Sequence, residues 1–102
     1  MNRRLWAIAG LVLCQGCASN PSTQAAAIKE VTARQVMNCT LISTITGKSV
    51  MGSVGGTGGA NALIDVKEQA SGLGATHIVV QSVDEGSMST PGIARAKAYK
   101  CN

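Results

Sequence analysis

The chain has 102 residues, a formal net charge of +4 and 45% apolar residues, with one Trp, one Tyr and no Phe. That length holds a single small domain, near the size at which one core is only just sufficient. The slight basicity is not the charge of a nucleic-acid binder, and the composition excludes a core built on large aromatic rings.

In chain order, Met-Asn-Arg-Arg is followed by the uncharged run Leu5 to Leu13. A cationic start and a short apolar stretch have the layout of a bacterial export signal, because a spanning helix needs about 20 apolar residues. Gly16-Cys17 then resembles a lipobox, with a small residue before the cysteine that receives diacylglycerol and Leu13 continuing the apolar approach. Cys14 takes a position where Leu is commoner, and bulky Leu13 bars Cys14 itself from acylation. Other readings of Cys14 and Cys17 fit less well. A C-x-x-C redox pair opens a helix packed beside a sheet, and zinc requires more ligands than His77, the one histidine, supplies. Ala25-Ala26-Ala27 satisfies the A-x-A rule for ordinary secretion but lies more than ten residues past the apolar run. The expectation is a lipoprotein signal peptide over 1–16, with Cys17 as the lipid-bearing mature N-terminus. Cleavage there leaves 86 residues, seven cations against five acids, and Tyr99 as the single aromatic.

Residues 18–27, "ASNPSTQAAA", are small and uncharged with no spaced apolar face, so 17–30 reads as the acylated cysteine and its tether. Ten or so such residues reach at most about 35 Å. Ala18-Ser19 after the cysteine, with no aspartate, fits sorting to the outer membrane. The domain is expected over 31–102. "VMNCTLISTIT" (36–46) reads as a half-buried strand with Met37, Cys39, Leu41 and Ile45 on one face. "GSVGGTGGA" (52–60) reads as a glycine-rich loop. From Asn61, a plausible N-cap, Leu63, Val66, Ala70 and Leu73 recur at helical spacing, and Gly72 or Gly74 can end the helix. "THIVVQSV" (76–83) is an apolar, central strand, and 84–92 a turn-rich link. In 93–101, Ala94, Ala96 and Ala98 alternate against Arg95, Lys97 and Tyr99, predicting a last strand with one small buried face. The class is α+β: a β-α-β-β domain with one helix packed on a three-stranded sheet.

No catalytic set emerges. Gly47-Lys48-Ser49 lacks the earlier P-loop glycine, since Ile42 stands there, and Gly56-Thr57-Gly58 lacks the third glycine of a dinucleotide fingerprint, since Asn61 stands there. His77 is alone on a strand, Asp84-Glu85 sit in a turn, and Ser87, Ser89 and Thr90 lack a nucleophile context. Neither a cofactor nor a metal is expected. Arg95, Lys97 and Lys100 form a basic face that suits anionic headgroups or lipopolysaccharide, although guarding an edge strand is the favoured explanation, since that alone accounts for such charges.

"ANALIDVKEQASGLGATHIVVQSV" and "STPGIARAKAYKC" together resemble a family of small bacterial lipoproteins of unknown function. That family is related in fold to RcsF, the outer-membrane stress sensor. The resemblance runs over 36–101: a helix ending Ala-x-x-Leu-Gly-Ala, a Val-rich strand, then a closing Ala-Tyr-x-Cys strand. The sensor's domain carries four cysteines, whereas here Val83 and Ile93 stand near where two would fall. The resemblance implies no enzyme activity. It implies an outer-membrane, periplasm-facing lipoprotein, held by its lipid and meeting an envelope protein in an interaction or stress-sensing role. No nucleic-acid partner is expected. The competing reading is a small periplasmic enzyme using His77 with Asp84 or Glu85.

With Cys14 removed and Cys17 acylated, Cys39 and Cys101 are an even pair in an oxidising compartment and predict a disulfide. Cys101 shares the alternation of Arg95 and Lys97, so the last strand must end or bulge before it.

Overall fold

A computed structural model of the protein describes residues 21–52 and 58–102, without side-chain detail at 50–52. The expected signal peptide (1–16), Cys17 and most of the glycine loop lie outside the described residues. The elements are α1 (Thr23–Ala26), β1 (Lys29–Glu30), a 3₁₀ turn (Ala33–Val36), β2 (Thr40–Gly52), α2 (Gly58–Gly72), β3 (His77–Asp84) and β4 (Pro91–Lys100). The class is α+β as expected, but the sheet has four strands in the order β1-β3-β4-β2. β1 runs parallel to β3, while β4 is antiparallel to both β3 and β2.

The additional strand comes from the stretch read as tether. Lys29 N–H donates to the Thr76 carbonyl and Val31 N–H to the Ile78 carbonyl, which docks β1 on β3. Before it, Ser22 caps α1 by accepting the Ala25 N–H. Ala25 and Ile28 are buried. Two apolar side chains in a polar stretch carry no periodic signal, yet burying them is enough to bring residues 22–30 into the domain.

The core lies between α2 and the sheet. Ala62, Val66 and Ala70, at four-residue steps on α2, meet Ile45, Ile78 and the row Ala94, Ala96 and Ala98. All three β4 alanines are fully buried, as the alternation predicts. Small residues set the spacing here: with methyl groups on β4 and Gly47 on β2, the helix backbone lies close to the strands. A Cβ at Gly47 would come within 2.7 Å of Val66 Cγ2 and also strike the Ala62 carbonyl oxygen. Asn61 is inside the helix and does not cap it, because Gly58 and Gly59, expected in the loop, form its first turn. Gly74, at φ 83, ends it. Ala75 N–H reaches the Ala70 carbonyl and Gly74 N–H that of Ser71, the paired bonds of a Schellman motif. Leu73 therefore falls beyond the last turn and is half exposed rather than in the core.

β2 also departs from expectation. It begins at Thr40, and residues 36–39 belong to the 3₁₀ turn and its exit. A register shift between Leu41 and Ser43 leaves Ile42 without a partner on β4. Such a bulge reverses the alternation. Ile45 stays in the core while Met37 and Leu41 are exposed, and the single face expected for them does not exist.

Candidate functional site

The residues of the alternative, enzymatic reading do not converge. His77 opens β3 and Asp84 closes it, so at about 3.3 Å per residue they stand roughly 20 Å apart. His77 Nδ1 lies 2.7 Å from the Thr76 hydroxyl. Glu85 accepts the Gly59 N–H at 2.9 Å, and Asp84 accepts the N–H of Gly86. Asp84 thus holds the turn after β3, and Glu85 holds the first turn of α2. Among the described residues, no three His, Cys, Asp or Glu side chains are grouped to hold a metal ion.

Cys39 and Cys101 are bonded to each other, with Cα atoms 4.6 Å apart. The ladder explains how. Thr40 and Lys100 are the last paired residues of β2 and β4, and the disulfide spans the next step outward. β4 ends at Lys100, so Cys101 escapes the strand's alternation. Its N–H then turns to the Thr76 hydroxyl at 2.9 Å, joining this corner to the start of β3.

The surface with most to offer is the sheet face opposite α2. Cross-strand registers set its rows: Leu41–Tyr99–His77, Thr44–Lys97–Val79, Thr46–Arg95–Ser82 and Lys48–Ile93–Asp84. The chain between β1 and β2 starts at one edge of the sheet and ends at the other, so it must cross β3 and β4. Val36, on that crossing, is 3% exposed yet is no member of the cluster under α2. His77, Val79, Lys97 and Tyr99 are half-buried, whereas Thr44, Thr46, Lys48, Ser82, Asp84 and Arg95 are exposed. The crossing thus shelters one end of the face and leaves the other open.

Arg95 and Lys97 sit in the middle of that face. This corrects the reason first given for them: β4 lies between β3 and β2, so its charges guard no edge. Lys100 is not their neighbour, since alternation turns it away at the end of the strand, and Lys48 of β2 takes its place. That residue was read only as part of a failed P-loop. The register of β2, which no local pattern reveals, is what brings it here. Lys48, Arg95 and Lys97 make no ion pair among the described residues. Uncharged Thr44, Thr46, Val79 and Ser82 flank the two β4 cations, and Asp84 is the acid in these rows. An arrangement of this kind attracts anions without neutralising itself first.

The sheet's two edges differ. On β2, helix side chains take two groups of the edge: Asp65 accepts the Lys48 N–H at 2.9 Å and Gln69 donates to the Thr46 carbonyl at 2.9 Å. On the other side β1 covers only His77 and Ile78 of β3. Val79 to Asp84 have no strand beyond them among the described residues. A groove of about 490 Å³ opens there, lined by Glu30, Val31, Thr32, Ala33, Gln35, Val79 and Val80.

No protein-family model matches the chain, and no curated protein or solved structure is significantly similar to it.

Proposed function

We propose that this chain is a lipid-anchored envelope protein of the outer membrane, facing the periplasm and acting as a non-catalytic interaction or stress-sensing module. The observation that carries the interaction role is the pair Arg95 and Lys97, mid-sheet on the partly open face opposite α2 and without an ion pair among the described residues, where they serve neither the core nor an edge. The anchoring rests on the lipobox-like Gly16-Cys17 after the signal-like run. The fold alters what such an anchor would do. With Ser22 bonded to Glu68 of α2 through both its N–H and its hydroxyl, only residues 18–21 separate the lipid from the packed domain. Five Cα steps span at most about 18 Å, so the domain rides against the leaflet instead of reaching across the periplasm. Ser22 is held to α2, on one side of the sheet, whereas the basic face lies on the other side.

Two measurements test this reading. Intact mass should show diacylglyceryl-bearing Cys17 as the first residue of the wild type and no lipid on Cys17→Ser; a mature chain beginning at Ile28 would mean ordinary secretion. Crosslinking in the native envelope should give protein adducts that disappear in Arg95→Glu/Lys97→Glu, a variant altered only on the exposed face. Adducts unchanged by that variant would remove the basic face from the interaction.

A further inference from the structure

We infer that the partner of this face is an extended acidic polypeptide segment that adds to the sheet as a fifth strand along the free edge of β3, beside Val79–Asp84. This rests on the interaction reading above and names the chemistry of its partner. Three observations converge on that edge. First, the fold treats its two edges differently: Asp65 and Gln69 occupy two backbone groups of β2, while among the described residues β3 past Ile78 has no strand beside it, β1 being two residues long. An unpaired edge offers N–H and C=O groups at the spacing an incoming strand needs. Second, the groove between Val79–Val80 and the chain at Val31–Gln35 gives the added strand a place to start where β1 leaves off.

Third, charge specifies the occupant. A strand beside β3 lies two strand spacings, about 9.6 Å, from β4. Between them, in the rows of the two cations, stand Val79 and Ser82, both shorter than Lys or Arg and both uncharged. Exposed Arg95 is long enough to reach over Ser82 to a carboxylate on the same face of the new strand, and half-buried Lys97 to do the same over Val79. On the helix-side face the neighbours are Val80 and half-exposed Val83, which favour small apolar side chains. Strand alternation turns these two requirements into a period-two pattern, acid then β-branched. Asp84 repels an acid at the far end, and the register shift between Val80 and Ser82 limits straight pairing to short stretches on either side of Gln81. The segment recognised is therefore short, with its acids opposite Val79 to Ser82.

The full-length protein in detergent should be titrated with the peptide acetyl-Thr-Glu-Val-Glu-Val-Glu-Thr-amide, with amide exchange followed along β3. Binding should slow exchange at Val80 and in Ser82–Asp84. It should weaken at least tenfold when the peptide's edge-facing amides are N-methylated, a change that leaves every charge in place. Arg95→Glu/Lys97→Glu should lose the Glu peptide and gain its Lys counterpart, which also demonstrates that the variant is folded. Equal affinity for the N-methylated peptide would overturn strand addition while leaving an electrostatic partner for the face intact. Loss of the envelope adducts' dependence on Arg95 and Lys97 would instead overturn the interaction reading itself. Binding to phosphatidylglycerol vesicles with none to the peptide, or a dimer in sedimentation that protects the same amides without peptide, would assign the edge to lipid or to a second copy and refute the proposal.

Discussion

Replacing Cys39 and Cys101 together by alanine removes a cross-link that closes a segment of 62 residues. Both strands joined by it remain paired without it, since Thr40 opposes Lys100 immediately inside the bond. The native state thus loses little, and the cost falls on the unfolded chain, which regains loop freedom. The chain-entropy relation gives about 4.3 kcal/mol at 25 °C for a loop of that length. A domain of this size has roughly 5 kcal/mol in total, and its core of alanine, valine and isoleucine has little reserve. Urea unfolding followed by far-UV circular dichroism measures the difference. At a slope of about 1 kcal/mol/M, suited to a small domain, the midpoint should fall by about 4 M, leaving a chain barely folded in water. Reducing the wild type should shift it equally. A fall of less than 1 M in both experiments would refute the entropic account and mean that the unfolded chain already holds its ends together.

Gly47→Ala should lower stability by about 1–3 kcal/mol through overpacking against Val66, whereas Gly72→Ala, whose Cβ meets nothing, should raise it by about 0.4–1 kcal/mol; paired urea curves check both. Thr76→Val removes the hydroxyl that accepts the Cys101 N–H and should cost about 1 kcal/mol, with faster hydrogen exchange at the Cys101 amide. Asp65→Ala frees the Lys48 N–H on the β2 edge and should change stability by less than about 1 kcal/mol while making light scattering concentration-dependent, because an opened edge pairs with copies of itself.

The parts of the fold visible in the sequence are those where one period persists. Ala94, Ala96 and Ala98 announce a strand with a small inner face, and Val66 and Ala70 announce the helix that lies on it. The period fails where geometry intervenes. The unpartnered Ile42 reverses the face of β2, so Leu41 and Ile45 part company although their spacing says otherwise. The helix start was misread because glycines signal loops, yet Gly58 and Gly92 are needed at the close contact between α2 and β4: a Cβ at Gly92 would strike the Gly58 backbone. The disulfide was legible from cysteine parity and the expected oxidising compartment, without any knowledge of register.

The candidate surface was half legible, and the missing half changes its meaning. Alternation shows that Arg95, Lys97 and Tyr99 share a face. It says nothing about which strands lie to either side, and on that point the interpretation turns. Charges on an edge strand guard that edge; the same charges between β2 and β3 have no edge to guard and instead form part of the polar face opposite the core. Placing β4 in the interior depends on β2 and β3 both pairing with it across long sequence separations. The short β1 that marks the far edge came from a stretch whose composition resembles a linker. One topological fact therefore accounts for both the mid-sheet cations and the exposed edge of β3. The two are adjacent because the strand that would have covered that edge ends after Glu30. A partner bound there would meet backbone hydrogen-bonding groups and positive charge along the same line.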